Sequence, residues 1–321
     1  METIWLMNPL QNPLAGPVVL MLTLVFGGGG VALLGRDLVR QSVLVGGGSL
    51  SRLPTSGQVL WQRYRTWAII ALLFGGAALT GPLTLAGLGA FLCWQGGREY
   101  ATLANLPKFH SYLLILGGWL TLLGGLVVGS LALLWTPTLA FFIAAALSLR
   151  PVENETEPGL RFNLMLATLW GYLYLGWLPA HLVALSTGKA PGLVLAVGLG
   201  VALSDIGAFC TGKLIGGPKL APRLSPNKTW GGVLGNLLGA VLALTLVAFA
   251  LPALAWWQAA GLVLAIGLGS IWGDLLESLL KRQRGVKDAG TLLPGFGGLL
   301  DRIDSLLLVV PLVYYLSLAI F

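Results

Sequence analysis

Ten apolar stretches of near-helical length punctuate the chain, at 16–35, 66–81, 82–97, 111–128, 130–149, 162–185, 192–210, 233–251, 258–276 and 305–321. An apolar helix needs about 20 residues to cross the hydrocarbon of a bilayer. The pattern therefore predicts an all-α, polytopic integral membrane protein with about ten transmembrane helices. The second and third stretches are short and share a Gly81-Pro82 turn, so nine is the alternative count. The runs are continuous where a membrane β-barrel would need short alternating segments. Three regions follow from the pattern: N-terminal helices with a basic loop (1–110), a middle helical region (111–191), and a C-terminal region (192–321) that holds the polar motifs.

Composition narrows the class further. Of 321 residues, 56% are hydrophobic and 10% charged, against roughly 25% charged in a soluble domain. Mean hydropathy is +0.85. Soluble, disordered and disulfide-rich secreted classes are excluded. The 46 glycines and 12 tryptophans suit close helix approach and interfacial anchoring. With the N-terminus outside, the loops 36–65, 98–110, 150–161, 211–232 and 277–304 are cytoplasmic and carry every one of the 19 Lys and Arg except Lys189. This bias supports ten spans with both termini outside and accounts for much of the net charge of +7 through topology and anionic headgroups, so no nucleic-acid partner is expected. The predicted location is the cell (inner) membrane if the protein is bacterial, with the catalytic loops on the cytoplasmic side. The first 15 residues lack a basic n-region, so no cleavable signal is expected. Cys93 and Cys210 read as inert thiols, His110 as a juxtamembrane residue and His181 as a helix-end residue, with no metal-binding spacing among them.

Acidic residues mark where chemistry can be. Glu2, Asp37 and Glu99 are scattered, and Glu153, Glu155 and Glu157 read as a solvated loop. The other six, Asp205, Asp274, Glu277, Asp288, Asp301 and Asp304, fall in the last 120 residues, in cytoplasmic loops or at adjoining helix ends. Carboxylates at membrane borders are costly and usually functional.

Two segments concentrate the polar residues. The first runs from Ser204-Asp205 through Gly212-Lys213 to Lys219, Arg223, Ser225, Lys228, Thr229 and Gly231-Gly232. Backbone amides at a helix opening near Thr229, with lysines and hydroxyls beside them, suit a phosphate; a basic loop that only enforces topology is the plainer alternative. The second runs from Gly273-Asp274 through Glu277, Ser278, Lys281-Arg282 and Lys287-Asp288 to Pro294-Gly295-Phe296-Gly297-Gly298 and Asp301-Arg302-Ile303-Asp304. Asp301 and Asp304 are i, i+3 and share a helix face. Two close carboxylates repel unless a cation joins them, and an all-oxygen ligand set points to Mg²⁺, with Mn²⁺ or a second cation as variants. An Asp–Arg salt-bridge cap is the plainer alternative. Acidic ligands, several cations, glycine loops and no nucleophile–base pair form the kit of phosphoryl and nucleotidyl transfer.

The stretch Ser278-x-x-Lys281-Arg282, Lys287-Asp288, Pro294-Gly295-Phe296-Gly297-Gly298, Asp301-Arg302-x-Asp304 resembles the signature of the phosphatidate cytidylyltransferase (CDP-diacylglycerol synthase) family. Asp205-Ile206-Gly207-Ala208-Phe209 and Ser225-Pro226-Asn227-Lys228-Thr229-Trp230 also resemble that family's preceding loop. The resemblance spans roughly 200–310, and the additional first helix with its basic loop sets the chain apart as a divergent branch. It implies an Mg²⁺-dependent reaction of CTP with phosphatidate, or a related lipid phosphate, to give CDP-diacylglycerol and pyrophosphate. It implies Asp274, Asp301 and Asp304 at the metal site, with Asp205 and Asp288 as further candidates. Lys228, Lys281, Arg282, Lys287 and Arg302 would hold phosphates, with Lys213, Lys219, Gly297 and Gly298 beside the substrate and hydroxyl contacts from Ser225, Thr229 and Ser278. Membrane lipids and a homodimeric partner are also suggested by the resemblance. Two positions depart from the family: Phe296 stands where His is usual, and Gly231 where Glu is common. A CTP-dependent kinase of lipid alcohols (dolichol or phytol type) is the nearest alternative. A transporter is the alternative from a different class, disfavoured by nearly charge-free N-terminal spans and no evident repeat.

Overall fold

A computed structural model of the chain describes residues 6–45, 57–149, 158–290, 292 and 297–321. Eleven α-helices carry most of them: α1 (Ala15–Val45), α2 (Gly57–Thr80), α3 (Pro82–Leu103), α4 (Lys108–Val127), α5 (Leu131–Ser148), α6 (Pro158–Tyr172), α7 (Leu178–Ser186), α8 (Leu193–Leu214), α9 (Trp230–Leu246), α10 (Trp256–Gln283) and α11 (Leu300–Ile320). A small antiparallel hairpin, β1 (Lys219–Ala221) and β2 (Ser225–Thr229), is the exception to the all-α pattern among the described residues. All ten apolar stretches are helical. The sixth is split, because α6 and α7 are joined by a π-helical turn, Leu173–Trp177.

Among the described residues, five segments are long and apolar enough to cross a membrane: Ala15–Val39, Lys108–Val127, Leu193–Leu214, Trp256–Gln283 and Leu300–Ile320. The apolar helices Leu131–Leu147 and Trp230–Leu246 are shorter. The molecule is thus an all-α membrane protein. Its outer faces carry large exposed side chains such as Leu24, Phe142, Leu238 and Leu318, as lipid contact requires.

Helix ends differ from the hydropathy reading in a way that matters for function. α10 continues to Gln283, α11 begins at Leu300 and α8 runs to Leu214. Asp205, Asp274, Ser278 and Asp304 therefore sit within helices, while Lys213 and Lys281 lie in the last turns of α8 and α10 and Asp301 in the first turn of α11. The Lys228–Asp274 and Lys281–Asp301 pairs join separate elements. His181 is likewise buried within α7, with Nδ1 near the Trp177 and Leu178 carbonyls and Nε2 3.2 Å from the Tyr315 hydroxyl. Cys93 is buried, Cys210 exposed, and both are free thiols.

Close backbone approach sets the C-terminal bundle. A Cβ at Gly207 would collide with the Gly235 carbonyl, and one at Gly239 with that of Leu203, which brings α8 and α9 together backbone to backbone. At Gly273, an added Cβ would run into the Asp304 carbonyl and Ser305 Cα. Only glycine lets α11 lie this tightly on α10, which brings Asp304 level with the acidic face of α10.

Candidate active site

Four elements meet at the acidic residues. α10 presents Asp274, Glu277, Ser278 and Lys281 at i, i+3, i+4 and i+7, one face of the helix. α11 brings Asp301 and Asp304 in its first two turns. α8 brings Asp205, which lies within electrostatic range of Asp274, Lys228 and Arg302. The hairpin ends at Lys228 and Thr229, just before α9.

Carboxylate oxygens of Asp274, Glu277 and Asp304 converge within 4.8 Å of one another. Glu277 is fully buried and Asp304 is 7% exposed. Lys228 Nζ stands 2.8 Å from Asp274 Oδ2, and the Ser278 hydroxyl is 3.3 Å from Asp274 Oδ1. Three carboxylates in this space need positive charge, and oxygen ligands at this spacing fit a divalent cation of the Mg²⁺ or Mn²⁺ type.

Asp301 has a different set of partners from Asp304. Lys281 Nζ lies 2.7 Å from its Oδ1, and the backbone amides of Ala289 and Gly298 donate to its Oδ2 at 2.9 and 2.8 Å. The i, i+3 relation does not bring the two aspartates to one point: Asp304 faces the trio, and Asp301 ties down the loop ahead of α11. Gly297 has φ +84°, and an added Cβ there would press on Asp301 Oδ2 at 2.8 Å, so a side chain at this turn is disfavoured twice over. Lys281 also pairs with Glu277, so its ammonium bridges two buried carboxylates and does not stand open toward a phosphate.

The start of α9 also differs from expectation. Its leading amides are already taken: Trp230 N donates to the Pro218 carbonyl at 3.1 Å and Gly231 N to that of Gly216 at 3.0 Å. Gly232 N donates to the Thr229 hydroxyl oxygen at 3.2 Å, the N-cap bond. Phosphate binding by these amides is therefore not what the loop is built for; they anchor the hairpin to the helix. The packing also explains the departure at Gly231, where a Cβ would meet the Gly216 carbonyl at 2.5 Å.

The remaining candidates are peripheral. Arg282 is exposed and donates to the Leu224 and Val286 carbonyls at 3.3 and 3.1 Å. Lys213 lies over the Phe209 ring at 4.0 Å. Lys219, Lys287 and Asp288 are exposed, while Ser225 and Arg302 are half-buried. Pro294, Gly295 and Phe296 fall outside the described residues, as do the acidic positions 153, 155 and 157.

Two residues were given no role at the site by sequence reasoning. Glu277 was visible as i+3 from Asp274 and i−4 from Lys281, a helical face with alternating charge. Glu99 had no such signal. From α3 it accepts hydrogen bonds from the amides of Leu299 and Leu300 at 3.0 and 2.8 Å and from Gln95 Nε2 at 2.9 Å. It thus caps the start of α11 from 200 residues away in sequence. Glu99→Ala should strand two buried amides, at a cost of about 1–3 kcal/mol each. Thermal unfolding in detergent should show the loss, with Glu99→Gln intermediate because an amide oxygen can still accept one bond. An unchanged unfolding temperature in Glu99→Ala would remove the cap from the account.

An acidic cluster whose spacing suits a divalent cation, bordered by lysine and hydroxyl groups, thus lies inside a helical membrane bundle. The chain belongs to the cytidylyltransferase family, whose family model matches residues 61–320. A phosphatidate cytidylyltransferase of Brucella suis biovar 1 (strain 1330) is 50% identical over 111 residues, 35% of this chain and 41% of that protein. The match thus spans less than half of that relative's length. Phosphatidate cytidylyltransferase 5, chloroplastic, of Arabidopsis thaliana is 35% identical over 204 residues, 54% of this chain and 49% of that protein. The protein YnbB of Escherichia coli (strain K12), of uncharacterized function, is 34% identical over 281 residues, 83% of this chain and 90% of its own length.

Proposed function

We propose that this protein is a phosphatidate cytidylyltransferase, making CDP-diacylglycerol and pyrophosphate from CTP and phosphatidate with Mg²⁺. The observation that carries the reading is the convergence of Asp274, Glu277 and Asp304 within the stretch matched by the family. In the reaction, an oxygen of the lipid phosphate bonds to the α-phosphorus of CTP. The bond to the α–β bridging oxygen breaks, and its electron pair leaves on pyrophosphate. A phosphomonoester is already ionised at pH 7, so no basic side chain has to activate it. Asp274, Glu277 and Asp304 would hold the cation, which supplies charge neutralisation on the triphosphate when bound. Lys228, at the Asp274 edge, and Arg302 would add positive charge beside it. Lys281 and Asp301 fix the loop and α11 so that Asp304 keeps its place.

The test is incubation of the purified protein with CTP, phosphatidate and Mg²⁺. A CDP-lipid with pyrophosphate is expected; a phosphorylated lipid with CDP would mean γ-phosphoryl transfer to a lipid alcohol instead, and that result or the absence of both products would overturn the reading.

The topology we infer has ten spans, with the loops around 57 and 285 on the cytoplasmic side and the protein acting as a homodimer. Cysteines introduced at Gly57 and Gly285 should react from the cytoplasmic face and one at Gly188 from the opposite face. Labelling of 57 and 285 from opposite sides would overturn the count.

A further inference from the structure

The π-helical turn Leu173–Trp177 interrupts an otherwise continuous helix from Pro158 to Ser186. Such turns disturb the regular hydrogen-bond ladder and re-aim the side chains they contain, and they are frequent at functional sites. The residue to explain here is Tyr174. It is 2% exposed, and its ring stacks on Trp170 with centroids 6.4 Å apart and planes 22° apart. Among the described residues its hydroxyl has no hydrogen-bond partner. Leaving a buried hydroxyl unpaired is unfavourable, and a phenylalanine would fill the same space without that cost.

Neighbouring tyrosines do find partners. Tyr172, on the same segment, shares a 2.9 Å hydrogen bond with Thr121. Tyr100 donates to the Ala167 carbonyl at 2.8 Å. What sets Tyr174 apart is its surroundings: it lies within electrostatic range of Asp304, Glu277 and Asp274, the three converging carboxylates. It bonds none of them directly, and an oxygen held by a bound cation would give the buried hydroxyl the acceptor it lacks.

We propose that Tyr174 is a positioning residue of the cation site, its hydroxyl donating a hydrogen bond to an oxygen ligand of the cation bound by Asp274, Glu277 and Asp304. That oxygen is a water before nucleotide binds. The π turn is then the device that aims the phenol into the acidic pocket. This inference rests on the trio being a divalent-cation site.

The test is Mn²⁺ binding to the purified full-length protein without nucleotide, read as free Mn²⁺ by electron paramagnetic resonance. Tyr174→Phe should keep the thermal stability of the parent, since ring and stacking remain. Its Mn²⁺ affinity should fall about tenfold, the lower end of the range for outer-shell partners of metal ligands. The Mg²⁺ concentration for half-maximal CDP-lipid formation should rise by the same factor. Tyr172→Phe is the comparison: it gives up the bond to Thr121 and should lose stability while keeping Mn²⁺ affinity. Unchanged Mn²⁺ affinity in Tyr174→Phe, or equal weakening in both variants, would overturn the proposal. Failure of the underlying reading looks different: the parent protein and Asp304→Asn would then bind Mn²⁺ indistinguishably.

Discussion

Asp304→Asn should lower turnover by about a hundredfold or more while the protein extracts and unfolds normally. Asparagine preserves size and shape, and Asp304 is 7% exposed against the backbone approach at Gly273, so the geometry should survive. What is lost is one of three charges that converge within 4.8 Å. A cation at a transferring phosphate supplies several kcal/mol of charge stabilisation, and about 1.36 kcal/mol corresponds to tenfold in rate. Stability should move the other way. With chelator present, three crowded carboxylates repel, so Asp304→Asn should unfold at the same or a higher temperature than the parent. Glu277→Gln combined with Asp304→Asn should cost less activity than the two losses added, because both serve one ion. Asp301→Asn should differ in kind. It breaks the pairing with Lys281 and weakens the grip on the Ala289 and Gly298 amides, so activity and stability should fall together. If Asp304→Asn destabilised the protein in chelator and Asp301→Asn did not, the two roles would have to be exchanged.

Lys281→Met should produce the largest loss of stability. The lysine side chain is 13% exposed and bridges Glu277 and Asp301, whose side chains are 1% and 3% exposed. Methionine keeps the stem and removes the ammonium, leaving two buried carboxylates without their shared counter-ion. Breaking a buried ion pair from one side typically costs 3–5 kcal/mol, roughly, because a charge stays behind unpaired. The check is thermal unfolding in detergent, or yield of monodisperse protein if the variant does not survive extraction. Adding Glu277→Gln to Lys281→Met should recover part of the loss by neutralising one stranded charge. Stability of Lys281→Met equal to that of the parent would mean that the bridge adds nothing to the fold.

These effects mark where the sequence stopped being legible. Helix identity was written in the chain, since apolar runs of about 20 residues report directly on lipid or core contact, and the ten runs are helical, the sixth of them across a π turn. The opening of a helix near Thr229 could be read because helix starts are set by near neighbours; that Thr229 caps it came from the structure. The C-terminal concentration of carboxylates could be read because such groups are scarce in this chain. Spacing also showed that Asp301 and Asp304 share a helix face, but a face has no meaning until something lies across from it. The tertiary structure decided that Asp304 meets Asp274 and Glu277 while Asp301 meets Lys281 and two loop amides. It did so through backbone approach at Gly273, which no periodicity encodes. Glu99 reaches α11 from 200 residues away, and Tyr174 sits in one irregular turn. Local patterns fix which groups leave water and which backbone bonds close within a segment. Which buried charges share a pocket depends on how separate helices pack, and that is settled only when the whole bundle is assembled.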